Sequence, residues 1–239
     1  MQVVILSGGY GTRLSEETKI VPKALVKIGN KPIIVHLIKY YQSFGYTDFI
    51  ICLGYKGNLI TKFFLKERNK KYLKNTNIRL VDTGLKSYTG ERIRRIKKYI
   101  KGNFFLTYCD GLSDIDLKKT LNIFNKSKKI GLVSAINPNS RFGVLSIDAK
   151  NIVRSFDEKS KSANTWINAG FFIFSKDIFR FIKGKNPIFE RLPLINLSKK
   201  NQLVAYKHKG FWQCMDTLKD KIILLKIWKT NKAPWKNDK

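Results

Sequence analysis

The residues of this chain best suited to chemistry stand near its start, in Leu6-Ser-Gly-Gly-Tyr-Gly-Thr-Arg13. A β-rich apolar run, Val3-Val-Ile-Leu6, stops at Gly8 and Gly9, which places a flexible loop at the carboxyl end of a buried strand. In open α/β sheets that is where ligands bind. Glycine lets the backbone approach a phosphate closely, and successive N–H groups through Gly8, Gly9, Gly11 and Thr12 can cradle an anion. Arg13 strengthens the phosphate reading, because a planar guanidinium meets phosphate oxygens through two donors. Two common phosphate loops are excluded. Leu14 stands where a dinucleotide fingerprint needs its last glycine, and no Gly-Lys-Ser/Thr follows as a P-loop requires. Alone, the segment indicates a phosphate near a strand end and nothing narrower.

Other chemistries find little support. The two histidines, His36 and His208, fall in no Ser/His/Asp or Cys/His arrangement, and two are too few for a His-based zinc site. His36 lies in a helical pattern and reads as a packed or surface residue. His208, in Lys207-His-Lys209, reads as an exposed strand end, and Trp212 as a core or pocket-wall residue. Cys52, Cys109 and Cys214 form no CxxC pair, so free thiols in a reducing cytoplasm are the simplest reading.

The elements that must position the loop alternate from the first residues onward. Residues 32–44 carry Ile34, Leu37, Ile38, Tyr41 and Phe44 at helical spacing, with Pro32 suited to a first turn and Gly45 to a helix end. Strands are expected at 49–53, 78–81, 104–108 and 131–136, and helices at 58–65, 92–100 and 117–124. Beyond Pro138 short strands at 144–147 and 152–156 flank a tight turn at 148–151, followed by a longer strand at 166–174. A helix after Asp177, another at 190–198, a strand at 203–206 and a last helix at 218–228 complete the pattern. Strand–helix alternation through the first half implies a mostly parallel sheet covered on both faces, which the second half extends with mixed strands. The fold class is therefore α/β, a Rossmann-like mixed, mostly parallel sheet flanked by helices. One domain over residues 1–239 is expected, in two halves, 1–136 and 137–239.

Composition sets wide limits. A chain of 239 residues with 43% apolar content can bury a substantial core. No apolar run approaches the ~18 residues of a membrane span, and the start lacks the basic region and cleavage site of a signal peptide. Forty-seven Lys plus Arg against seventeen Asp plus Glu give a net charge of +30. Such a charge attracts polyanions, yet the lysines are spread along the chain and not gathered in one arm. Short clusters stand at 68–71 and 92–98. No nucleic-acid module is readable, and neither nucleic acid nor membrane is expected as a partner.

Taken together, the motifs resemble those of the sugar-phosphate nucleotidyltransferases. The loop reads Leu-Ser-Gly-Gly-x-Gly-Thr-Arg-Leu with Pro22-Lys23 following, and further blocks come in the family's order. These are Val81-Asp-Thr-Gly84, Thr89-Gly90 with Arg92, Tyr108-Cys-Asp-Gly111, Arg141-Phe-Gly143, Ser155-Phe-Asp-Glu-Lys159 and Ile167-Asn-Ala-Gly-Phe171. Gly210-Phe-Trp-Gln-Cys-Met-Asp-Thr217 and Lys232-Ala-Pro-Trp235 resemble the glucose-1-phosphate cytidylyltransferase branch in particular. The resemblance implies the nucleotide-diphospho-sugar transferase fold, a likeness to homo-oligomeric enzymes, and condensation of CTP with a sugar 1-phosphate, releasing pyrophosphate. It implies that Asp110 and Asp216 bind Mg²⁺, which prefers few protein ligands and retained water. Arg13 and Lys23 match the residues that hold the triphosphate and neutralise developing charge, and are the catalytic pair. Lys159 matches a lysine on the acceptor phosphate, and Asn168 a residue near the sugar. Leu6, Gly8, Gly9, Gly11, Thr12, Thr83, Thr89 and Gly90 would line the nucleotide pocket.

Singly, each has a plainer reading: an Asp before Gly forms turns, Lys23 after Pro22 could be solvated, and Asn168 could cap a strand. As an ordered set they favour chemistry, since bringing two anions together for in-line attack needs charge compensation and no protein nucleophile. The departures bear on substrate. Ser160 follows Lys159 where proline is usual, Ala24 replaces a second proline, Cys109 replaces glycine, and the stretch from 66 to 79 is short for the glucose-specific branch. A uridylyl-, thymidylyl- or guanylyltransferase of the same fold, or a cytidylyltransferase acting on a non-sugar phosphate, is the alternative, and the charge of +30 offers a basic nucleic-acid-binding protein as the alternative from another class.

Overall fold

A computed structural model describes residues 1–67, 70, 73–138, 144–157 and 165–236. Seven strands build the central sheet: β1 (Gln2–Leu6), β2 (Asp48–Leu53), β3 (Asn77–Asp82), β4 (Phe104–Tyr108), β5 (Gly131–Ile136), β6 (Ile167–Phe174) and β7 (Leu203–His208). Their spatial order is β7-β5-β6-β4-β1-β2-β3. β1 pairs in parallel with β2 and β4, β2 with β3, and β7 with β5. β6 alone runs antiparallel, between β4 and β5. The sheet is mixed and mostly parallel, as the strand–helix alternation implied.

Both faces are covered because alternate residues of a strand point to opposite sides. Val3 and Ile5 enter one core with Ile33, Leu37, Tyr41 and Phe105, while Val4 and Leu6 enter the other with Ile93, Phe172, Phe174 and Phe189. Six helices flank the sheet: α1 (Ile33–Ser43), α2 (Gly57–Glu67), α3 (Thr89–Arg95), α4 (Leu117–Ser127), α5 (Leu192–Lys199) and α6 (Leu218–Lys229). Local chemistry sets their ends. Pro32 immediately precedes α1, and Gly45 follows it at φ 85°, a left-handed conformation that glycine adopts without strain. Asp116 caps α4 by accepting from the Lys119 N–H at 2.9 Å. Thr217 and Asp220 form a reciprocal capping box at the start of α6.

Two expected helices differ in form. The one expected at 92–100 starts at Thr89, leaves the α-form after Arg95 and ends in a 3-10 turn at Lys97–Tyr99. The one expected after Asp177 is a 3-10 segment, Lys176–Arg180. A pairing absent from the strand–helix pattern lies just past the sheet, where Gly111–Ser113 runs antiparallel to Trp212–Cys214. It draws the end of the chain back against β4.

Candidate active site

The loop after β1 is held from beneath by one arginine. Arg92 on α3 is buried, and its guanidinium donates to the carbonyls of Gly8 (2.8 Å), Leu53 (2.9 Å) and Gly84 (2.9 Å) and to Thr83 Oγ1 (2.8 Å). The Tyr55 N–H also donates to the Gly8 carbonyl, at 3.1 Å. Three loops at the carboxyl ends of β1, β2 and β3 are thus tied to one side chain. Gly8 is required by this tie. A Cβ there would fall within 2.8 Å of Arg92 Nε and nearer still to Cζ. Gly11 serves the bend, at φ 67°, with its carbonyl accepting from Thr18 Oγ1 at 3.0 Å.

Past the loop, four charged groups converge. Lys23 Nζ lies 2.7 Å from Asp110 Oδ2 and 2.6 Å from Asp216 Oδ1, and Arg13 Nη1 lies 2.7 Å from Asp216 Oδ2. Asp110 stands two residues past β4, and Asp216 follows the short Trp212–Cys214 strand, where the Met215 N–H donates to the Asp110 carbonyl at 2.8 Å. The backbone pairing therefore fixes the two carboxylates together across the chain. Burial works to lower the Lys23 pKa, but Asp110 and Asp216 beside it outweigh that and raise it, so the ammonium stays charged. Arg13 by contrast is 73% exposed at its side chain. Among the described residues no cluster of three or more His, Cys, Asp or Glu forms a complete metal cage. Two carboxylates aimed at a single cationic atom are what a cation with few protein ligands asks for.

Two clefts meet here. One, of about 710 Å³, is lined by Leu6, Gly8, Gly9, Gly11, Thr12 and Lys23 among others, and the second, of about 400 Å³, by Asn168, Trp212, Glu190 and Asp216 among others. Arg13, Thr89, Tyr108 and Asp110 border both. Asn168, at the start of the antiparallel β6, reaches this edge because that strand begins where its neighbours end. Its Oδ1 accepts from the Gly170 N–H at 2.7 Å.

The expectations for Thr83, Gly90 and His208 are corrected, while His36 and Trp212 stand as read. Thr83 is fully buried under the loop, donating to the Leu53 carbonyl and accepting from Arg92, so it does not line the nucleotide cleft. Gly90 borders neither cleft; it is small because a Cβ would sit 2.7 Å from the Pro187 carbonyl oxygen. His208 is buried, with Nε2 2.9 Å from Asp114 Oδ1 and 3.1 Å from the Phe211 carbonyl oxygen. His36 is buried too. Trp235 Nε1 donates to its Nδ1 at 3.3 Å, so its Nε2 carries the proton given to the Ile28 carbonyl at 2.9 Å. Trp212 is a wall residue whose Nε1 donates to the Ala169 carbonyl at 2.7 Å. Lys159 and the block at 141–143 lie outside the described residues. Tyr108, Glu190 and the anchoring role of Arg92 went unread. Arg92 carried a signal, as a basic residue four positions before the apolar Ile96 and so on its side of the helix.

A glycine loop and cations at the carboxyl edge of a mostly parallel sheet, opposite paired carboxylates, define a protein that handles phosphoanions in two adjoining clefts. The Nucleotidyl transferase family profile matches residues 2–220, and the chain belongs to that family. It is 42% identical to the glucose-1-phosphate cytidylyltransferase of Salmonella typhi over 255 aligned positions, covering 99% of each chain. It is 37% identical to a probable glucose-1-phosphate cytidylyltransferase of Bacillus subtilis, again over 99% of each. The crystal structure of HddC from Yersinia pseudotuberculosis superposes with a TM-score of 0.74 at 27% identity, covering 95% of this chain and 99% of that one. An alignment of 255 positions against 239 residues leaves at least 16 positions of the Salmonella comparison with no residue here.

Proposed function

We propose that the chain transfers a cytidylyl group from CTP to a sugar 1-phosphate, with glucose 1-phosphate the first acceptor to try, and releases pyrophosphate. The observation that carries this reading is the convergence of Arg13, Lys23, Asp110 and Asp216 where the two clefts join. The larger cleft takes the triphosphate along the loop N–H groups, and the smaller takes the acceptor. An acceptor phosphate oxygen then attacks the α-phosphorus in line, one P–O bond forms, and the bond to pyrophosphate breaks. The protein supplies no nucleophile. Its work is to hold two anions together, which needs fixed positive charge at the reacting phosphorus.

Lys23, kept protonated by its carboxylates, and Arg13, held by Asp216, are the groups that swing onto phosphate oxygens as substrates enter. Asp110 and Asp216, released from these ammonium and guanidinium partners, would hold Mg²⁺. The ion supplies charge neutralisation on the phosphate oxygens when bound. Lys159 is assigned the acceptor phosphate by its place in the Glu-Lys block. Cytidine is supported by the relatives' names and by the Gly210–Thr217 block, and a cytoplasmic setting by three free thiols, two of them buried. Pyrophosphate release, measured with each of the four nucleoside triphosphates against a panel of sugar 1-phosphates and simple phosphate esters, tests the reading. Equal rates with all four would remove the cytidine assignment, and release from no pairing would remove the reaction.

A further inference from the structure

Between the two clefts stands a carboxylate with an unusual set of partners. Glu190 Oε2 accepts from Thr89 Oγ1 at 2.6 Å, and Oε1 accepts from the Tyr108 hydroxyl. Thr89 Oγ1 in turn accepts from the Phe189 N–H at 2.9 Å, so the threonine proton is committed to Glu190. In a chain carrying 47 Lys and Arg, the partners that surround this carboxylate are neutral hydroxyls. The Tyr108 ring is fixed as well. Gly170, at φ 78°, lies so close that a Cβ there would come within 2.7 Å of Tyr108 Cδ2. Burial first, and then the charge of Glu190, push the Tyr108 phenol up, so it remains a donor.

A carboxylate has about four acceptor positions, and hydroxyls fill two of them here. Glu190 also lines the smaller cleft, beside Asn168 and Trp212. A negative charge there repels a phosphate and asks for an O–H donor. The positive side of the same cleft is Arg13, next to Asp216. An acceptor in this cleft must therefore present its phosphate at one end and a hydroxyl at the other.

We propose that Glu190 reads a hydroxyl of the acceptor directly and so is a specificity-determining residue of the smaller cleft. This rests on the transfer reaction proposed above and names the side chain that recognises its acceptor. Tyr108 and Thr89 are positioning residues for Glu190, since they hold its carboxylate in the orientation that faces the cleft.

The experiment is a steady-state study of wild type and Glu190→Gln with CTP, glucose 1-phosphate, its four monodeoxy analogues and methyl phosphate. The glutamine keeps an acceptor oxygen and the shape, and Tyr108→Phe serves as a second variant that leaves the charge. In Glu190→Gln the KM for the sugar phosphate should rise roughly 5- to 15-fold, the effect of exchanging a charged hydrogen-bond acceptor for a neutral one. The KM for CTP should stay within about threefold, because the triphosphate contacts lie in the other cleft. One deoxy analogue should suffer in wild type and suffer no further in Glu190→Gln, which marks the hydroxyl that Glu190 reads. If all four analogues lose equally in both proteins, or if the CTP and acceptor KM values rise together, Glu190 is structural and the inference is overturned. Efficient use of methyl phosphate by wild type also overturns it while leaving the transfer reaction standing. Turnover of no acceptor at all removes the reaction itself, and this inference with it.

Discussion

Replacing Gly8 by alanine separates two explanations of a glycine in a phosphate loop: room for the ligand, or room for the protein's own arginine. Gly8 is not among the glycines with positive φ, so its backbone tolerates alanine. The added methyl would enter the space of the Arg92 guanidinium, within 2.8 Å of Nε. An arginine head on the surface would simply move aside. This one is pinned by the carbonyls of Gly8, Leu53 and Gly84 and the Thr83 hydroxyl, all at 2.8–2.9 Å, and it is 4% exposed. Each hydrogen bond from a charged group contributes roughly 1.5–3 kcal/mol, and displacing the head breaks several that act together. A loss of about 3 kcal/mol follows, which for a domain of this size is a fall in Tm of roughly 6–12 °C. The assay is a double-mutant cycle by thermal melting of wild type, Gly8→Ala, Arg92→Ala and the pair. With the guanidinium gone the three nearest atoms to the methyl are removed, so most of the alanine's cost should vanish in the Arg92→Ala background. An equal cost in both backgrounds refutes the steric argument. So does an unchanged Tm accompanied by a raised KM for nucleotide, which would mean that the glycine serves the ligand.

Asp216→Asn should cut pyrophosphate release by at least about 100-fold, as loss of a charge-positioning group in a transfer site does. Its Tm should fall by no more than a few degrees, because Arg13 is largely exposed and Lys23 keeps its second carboxylate, Asp110, at 2.7 Å; unchanged turnover would remove Asp216 from the machinery. The buried His36 gives a pH signature, since burial holds its pKa down to about 4 against an ordinary 6.5. The unfolded chain then takes up the proton first as pH falls, so stability is complete above about pH 6.5 and drains toward pH 4, by at most about 3 kcal/mol. Urea midpoints at pH 7 and pH 5 should differ less in His36→Gln than in wild type, and identical pH dependence would contradict the assignment.

Strand and helix placement was legible wherever a local pattern fixes the answer. Val3–Leu6 stopping at glycines and Ile33–Ser43 with its spaced apolar residues needed no tertiary information. Direction was not legible for β6: an apolar run reads alike in either sense, and its antiparallel course depends on the neighbours it finds. At the site, Asp110 and Asp216 were recognised through their motifs, but their proximity rests on the pairing of Gly111–Ser113 with Trp212–Cys214. Three-residue strands carry no periodicity to read. Thr83 and Gly90 show the opposite failure. Both lie in motif blocks, and both serve the packing that shapes the cleft instead of its surface. Glu190 was unreadable because its meaning comes from Thr89 and Tyr108, which are remote from it in the chain.

The antiparallel course of β6 also orders events in time. Among the described residues β5 pairs only with β6 and β7, both of which follow it along the chain, so on the ribosome it emerges with no edge to join. β1 to β4 can assemble beforehand as a four-stranded parallel sheet, leaving the β4 edge open until β6 arrives. Asp216 comes later still, after the segment that seats it against Asp110. A nascent chain can thus form its phosphate loop early, yet it remains silent until synthesis has passed the second carboxylate.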